Sequence, residues 1–106
     1  MLDNFDTGWR NTFEPYIQYL ITLFPEARLE NVSRHNGMLR IKLVGTDENM
    51  QYILDCVTHK IERDSARTCE KCASYGLRRL SEHLDEAKCL CFTCYVHEVD
   101  SILNKQ

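Results

Sequence analysis

Two short cysteine pairs constrain this chain more than anything else in it: Cys69-Glu70-Lys71-Cys72 and Cys91-Phe92-Thr93-Cys94, with eighteen residues, Ala73 to Leu90, between them. Each Cys-x-x-Cys turn aims two sulfurs at one point, and a tetrahedral ion needs two such turns brought together by the fold. The spacing therefore predicts a closed site for one structural Zn²⁺ with Cys69, Cys72, Cys91 and Cys94 as ligands. A disulfide framework belongs to secreted chains, and the first residues, Met1-Leu2-Asp3-Asn4-Phe5-Asp6, show neither a basic nor an apolar signal segment. A thioredoxin-like redox pair does not account for a second copy of the motif.

The chain is 106 residues long, enough for a modest core, so metal binding is expected to contribute materially to folding. No run approaches the ~20 apolar residues of a membrane span. Six cysteines without a signal segment suit a reducing cytoplasm, and cytoplasmic is the expected location. The formal charge is −3, and four bound thiolates with one divalent ion lower it to −5. That balance disfavours broad salt-driven binding to nucleic acid, which needs a basic footprint.

Along the chain, Phe13, Ile17, Leu20, Ile21 and Phe24 fall on one helical face, predicting a helix over 13–24. Thr12 is the candidate cap, Pro15 is placed in the first turn, and Pro25 ends the helix. Gly8-Trp9 just upstream is expected to tuck the indole against it as core. Asn36-Gly37 predicts a β-hairpin over 28–44, since both residues tolerate the positive φ of a type I′ turn. Leu39, Ile41 and Leu43 alternate with Arg40 and Lys42, whereas Leu29 and Val32 are three apart and imply a bulge or an edge position. Arg34, Arg40 and Lys42 are assigned to the wet face. A second helix is expected over 47–65, with Thr46 as cap, acidic Asp47 and Glu48 at its start, and Met50, Ile53, Leu54, Val57 and Ile61 as its apolar stripe. Cys56 lies off that stripe and is read as an edge thiol.

After Arg67 the composition changes, and residues 67–106 read as a metal module packed on a helix–hairpin–helix region, 1–66. The module should contain a knuckle, a first run at Leu77-Arg78-Arg79-Leu80, a loop over 81–88, a second run at Cys89-Leu90, and a helix over 92–104. Val96, Val99, Ile102 and Leu103 are assigned to the buried face of that helix. Thiolates at a helix N-terminus are stabilised by its free N–H groups, which makes the module treble-clef-like rather than a plain ribbon. The fold class is thus α+β: helix, β-hairpin, helix, then a treble-clef or zinc-ribbon-like module. Cys89 is an alternative ligand, disfavoured because a one-residue gap points side chains in opposite directions along a strand. His97, one turn beyond Cys94, is a substitute ligand or outer partner if it does not simply face solvent. His35, His59 and His83 show no ligand spacing.

Four thiolates leave no coordination position for water, so Lewis-acid chemistry is disfavoured and the expectation is no enzyme. The His-x-Glu of a deaminase, a phosphate loop and a nucleophile elbow are all missing, and nothing implies a small-molecule substrate. The leading reading is a non-catalytic module that docks on another protein. Its rival is a nucleic-acid-binding finger: between Cys56 and Leu80, Lys60, Arg63, Arg67, Lys71, Arg78 and Arg79 outnumber Glu62, Asp64 and Glu70. Arg67, Lys71, Arg78 and Arg79 around the first knuckle would form that partner surface.

Several of these motifs together, Gly8-Trp9, Asn36-Gly37-Met38-Leu39-Arg40, the Cys69-Glu70-Lys71-Cys72 knuckle and the late Cys91 pair, resemble small zinc-ribbon-like proteins of phages and mobile elements. In those, a Gly-Trp helix and a Gly-x-Leu-Arg strand precede a Cys-Glu-x-Cys-Gly knuckle and a final Leu-Cys-x-x-His. The resemblance runs over most of the chain, with Ala73 in place of the glycine, Cys94 in place of the histidine, and no tryptophan before the second pair. It implies a metal site and an accessory role, with no particular activity.

Overall fold

A computed structural model describes residues 1–80 and 84–104. The order is α1 (Thr7–Leu23), β1 (Arg28–His35), β2 (Met38–Val44), α2 (Glu48–Ser65), β3 (Leu77–Arg79), β4 (Lys88–Leu90) and α3 (Phe92–Leu103). This is the expected α+β sequence of helix, hairpin, helix and cysteine module. No helix among the described residues is long and apolar enough to cross a membrane.

The first hairpin forms as its turn residues require. Asn36 and Gly37 adopt φ 53° and 77°, the left-handed pair of a type I′ turn. The register slips between Leu29 and Asn31, a bulge at the place where the apolar alternation breaks. β1 and β2 pair antiparallel, and α2 covers the open edge of β2 with side chains. Ser65 Oγ accepts from Leu39 N at 2.9 Å, Glu62 Oε2 from Ile41 N at 3.0 Å, and Gln51 Oε1 from Gly45 N at 2.8 Å. A two-stranded sheet would otherwise expose these donors.

Several assignments change. α1 starts at Thr7, six residues earlier than its apolar face suggested, with Asp6 at the cap position. Thr12 is therefore interior, its hydroxyl donating to Gly8 O at 2.6 Å, and Pro15 lies mid-helix rather than in the first turn. Pro15 and Asn11 are both exposed, so water reaches the Asn11 carbonyl that the missing N–H leaves unpaired. α2 is capped by Asp47, which accepts from Met50 N at 2.8 Å; Thr46 instead donates to Glu26. Within the α2 stripe Leu54 and Ile61 are buried, whereas Ile53 is exposed.

Another correction concerns Arg34, which is not on the wet face with Arg40 and Lys42. It pairs across the ladder with Leu39, and residues directly opposite share a face, so its side chain enters the core side. The core gathers Trp9, Phe13, Ile17 and Leu20 of α1, Leu39, Ile41 and Leu43 of β2, Leu54 and Ile61 of α2, Leu2, and Cys89 of β4. Trp9 is fully buried, as expected, but as part of α1. At the far end the expected burial of α3 fails: none of its residues is buried, and Val96 and Leu103 are exposed. Part of the predicted loop, residues 81–83 with His83, lies outside the described residues, and Lys88 belongs to β4.

Candidate metal centre

The knuckle is built by a tight reversal of the chain after α2. Ala73 N donates to Cys69 O at 2.9 Å, and Cys69 N to Ser74 O at 2.7 Å. Closing this turn puts Ala73 at φ 69°, the left-handed region where glycine is preferred. Gly76 then passes so close that a Cβ would lie 2.9 Å from Cys69 N and 3.1 Å from Cys89 Sγ. The short hairpin follows, with Leu77 opposite Leu90, Arg78 opposite Cys89 and Arg79 opposite Lys88. It delivers the chain to Cys91, the N-cap of α3, whose sulfur accepts from Cys94 N at 3.4 Å.

This path brings together Cys69, Cys72, Cys91 and Cys94, with all four Sγ atoms within 4.8 Å of one another. Cys72 Sγ and Cys91 Sγ are 3.7 Å apart. Metal–sulfur bonds of about 2.3 Å at tetrahedral angles place sulfurs about 3.8 Å apart, so this edge fits a bound ion. It is far beyond the ~2.05 Å of a disulfide. The four cysteines can hold a metal ion.

The thiols are not equivalent. Cys91 is drawn down to about 6, chiefly because the Cys94 backbone N–H donates to its sulfur. Cys72 is also lowered, mainly by the Ser74 hydroxyl 2.9 Å from its sulfur. Cys94 is pushed up by burial and by the neighbouring sulfurs. A divalent ion reverses that last penalty, since its charge compensates the thiolates crowded around it.

Other candidate residues fall elsewhere. Cys89 is buried in the core with its thiol directed to Ala66 O at 3.3 Å, and burial followed by the Glu70 carboxylate pushes it up to about 12. His97 and Cys56 are exposed and outside the cluster, and His35 and His59 are likewise exposed on other elements. Of the four basic residues around the knuckle, Lys71 pairs with Glu98 at 3.0 Å and Asp6 at 3.5 Å. Arg79 lies over the Tyr95 ring at 5.3 Å and donates to Leu90 O at 3.1 Å. Arg67 and Arg78 are exposed.

The residue that sequence reasoning passed over is Glu70, between the first two cysteines of the cluster. Its carboxylate is fully buried and accepts from Arg34 Nε at 3.1 Å, from Arg34 Nη2, and from Cys89 N at 3.1 Å. Arg34 in turn reaches Glu86 and stacks over Phe5 and Trp9, at 5.6 and 5.8 Å from the ring centroids. Burial raises the Glu70 carboxyl, and the Arg34 guanidinium opposes that rise. Main-chain bonds complete the junction: Glu70 N donates to Cys89 O at 2.9 Å and Trp9 N to Glu70 O at 3.1 Å. The Trp9 indole N–H donates to Thr68 O at 2.8 Å, and at Gly8 a Cβ would lie 2.4 Å from Cys69 O. The first turn of α1 thus rests directly on the Cys69–Cys72 knuckle. A bidentate partner for Glu70 was findable by counting across the Asn36-Gly37 turn, which puts an arginine on an apolar face. Comparison with protein-family models, with curated proteins and with solved structures found no match for this chain.

Proposed function

We propose that the four sulfurs hold one structural Zn²⁺ and that the protein is a non-catalytic interaction module which docks on another protein. Zinc suits an all-sulfur, near-tetrahedral set whose four positions are all filled by protein. The order of knuckle, short hairpin and helix carrying the second ligand pair supports a treble-clef-like reading of the module. Thiolates hold such an ion only where they stay reduced, which favours the cytoplasm.

The docking half of the reading rests on one observation. Between α1 and α2 runs a groove of about 180 Å³ lined by Phe13, Tyr16, Val57, Lys60, Ile61 and Asp64. The same two helices expose Tyr16, Tyr19, Leu23, Tyr52 and Ile53. Tyrosine and aliphatic side chains beside a groove are the composition of protein-binding surfaces, since they bury much area at little entropic cost. The nucleic-acid reading has less support, because Lys71 and Arg79 already serve contacts within the chain. The accessory role implied by the resemblance to phage and mobile-element proteins agrees with a docking module.

Intact-mass measurement under native conditions should give one zinc per chain. A nuclease-treated pull-down should recover a stoichiometric protein that Tyr16→Glu loses. Submicromolar, steeply salt-dependent binding to DNA or RNA, with no protein recovered, would replace docking with the rival reading.

A further inference from the structure

A Cys-x-x-Cys turn gives its first and fourth residues to the ion and leaves the two spacers free for other contacts. In the second pair the spacers face water: Phe92 is 70% exposed, and Thr93 is exposed beside it. In the first pair both spacers reach across to the elements that carry the other two cysteines. Glu70 is fully buried; its Oε2 accepts from Cys89 N at 3.1 Å, and its own N–H donates to Cys89 O at 2.9 Å. Residue 89 lies two positions before Cys91, so these bonds fix the strand that delivers the second pair. Lys71, at the rim, pairs at 3.0 Å with Glu98 of α3, one turn beyond Cys94. The two halves of the site are therefore joined by side chains as well as by the ion they would share.

Glu70 can hold this position because of Arg34. A carboxylate taken out of water needs charged donors, and Arg34 supplies two, Nε at 3.1 Å and Nη2. The Arg34 side chain is only 16% exposed and is itself fixed, by Glu86 and by the Phe5 and Trp9 rings. The oxygen presented to Cys89 N is thus held in place by the first hairpin. Groups that fix ligands from behind strengthen a metal site, because less order has to be imposed when the ion binds.

We propose, on the zinc reading above, that Glu70 and Lys71 are positioning residues for the metal. Glu70, supported by Arg34, limits how far the two cysteine pairs can part, and so how readily the ion leaves. Lys71 does the same more weakly, since its ion pair is partly in water. The docking surface plays no part in this role.

The measurement is the rate at which the zinc-loaded full-length chain gives up Zn²⁺ to an excess of a chromogenic chelator at pH 7, with helical circular dichroism recorded beforehand. Arg34→Met with Glu70→Met fills the same space with apolar side chains but offers Cys89 N no acceptor. Its helicity should match wild type, and it should release Zn²⁺ about 10-fold faster or more, the size of the affinity loss when a group behind metal ligands is removed. Lys71→Met, at the surface, should release it roughly 2–5-fold faster. Leu20→Ala opens the core near the other end of α1; it should lower the urea midpoint and leave the rate alone, which separates positioning from stability. A double variant of wild-type helicity that releases Zn²⁺ at the wild-type rate overturns the proposal, as does a Leu20→Ala as fast as the double variant. Where the double variant does not fold, Lys71→Met decides: a faster rate supports the proposal and a rate equal to wild type's overturns it. A wild-type chain that carries no Zn²⁺ removes the zinc reading and this role together, whereas the variant rates remove this role alone.

Discussion

Among the described residues, Ala73 is the one non-glycine position outside the Asn36 turn with a left-handed backbone, at φ 69°. That conformation costs an L-residue about 1–2 kcal/mol, and the extra freedom of glycine in the unfolded chain returns roughly 0.4–1 of it. Ala73→Gly should therefore stabilise the metal-loaded protein by up to ~1 kcal/mol, read as a higher urea midpoint at unchanged slope. Arg34 has the opposite sensitivity. Removing it strands a fully buried carboxylate, so Arg34→Ala should cost about 3–5 kcal/mol, while replacing Arg34 and Glu70 together by methionines should recover much of the loss. Equilibrium unfolding of wild type and the two variants decides it; an Arg34→Ala within 1 kcal/mol of wild type, on the scale of an exposed pair, would show that Glu70 is not held as described. The two thiols outside the cluster also separate here. Cys89 is buried and its thiol sits near 12, whereas Cys56 is exposed, so an alkylating reagent should modify Cys56 in the folded, metal-loaded protein and leave Cys89 until unfolding.

At the scale of elements, α3 brings Cys91 and Cys94 up to the first cysteine pair at one end and is tied to the rest of the chain by Glu98 in the middle. The Glu98 carboxyl is held below its ordinary value, first by the Lys88 ammonium and then by Lys71. A depressed carboxylate contributes stability above its unfolded value of about 4.3, and that contribution is lost as pH falls through the lower folded value. Glu98→Gln should therefore cost ~1 kcal/mol at pH 7, where the carboxylate is ionised and the cysteines can still hold their ion. Denaturation of both metal-loaded proteins at that pH measures it. Elements differed in how far residue order revealed them. The hairpin was legible down to its bulge, because Asn36-Gly37 and the broken alternation at Leu29 and Val32 are local signals. The side on which Arg34 lies was misjudged because opposite positions across a two-residue turn, such as Arg34 and Leu39, must be counted through the turn. The start of α1 was hidden by Pro15, which is tolerated mid-helix only because its surroundings are wet. The spacing of Val96, Val99 and Leu103 announces an apolar stripe on α3, but periodicity cannot say whether the chain itself covers it.

Across the whole molecule, the cysteine cluster and the first helix are one mechanical unit, because Trp9 is bonded at both of its nitrogens to the segment that carries Cys69. Its backbone N–H donates to Glu70 O and its indole N–H to Thr68 O, at 3.1 and 2.8 Å. Metal loss lets the cysteines take up protons and removes the bond that ties the two pairs together, so the Cys69–Cys72 turn is free to open. Opening that turn removes both acceptors of Trp9, and burying its N–H groups unpaired costs about 1–3 kcal/mol each, so the indole must move toward water. Trp9 is the single tryptophan of the chain, which makes its fluorescence a direct report. Adding a strong chelator at neutral pH should shift the emission to the red together with loss of helical circular dichroism, and restoring Zn²⁺ should reverse both. Cys72→Ser and Cys94→Ser should show the shifted emission from the outset, while Cys56→Ser should behave as wild type, because its sulfur lies outside the cluster. An emission maximum indifferent to chelation, in protein shown by mass to have lost its ion, would mean that the helical body holds Trp9 without the knuckle. The metal would then stabilise the last forty residues only, and the contact of Gly8 and Trp9 with the Cys69 turn would be a consequence of the fold rather than a support for it.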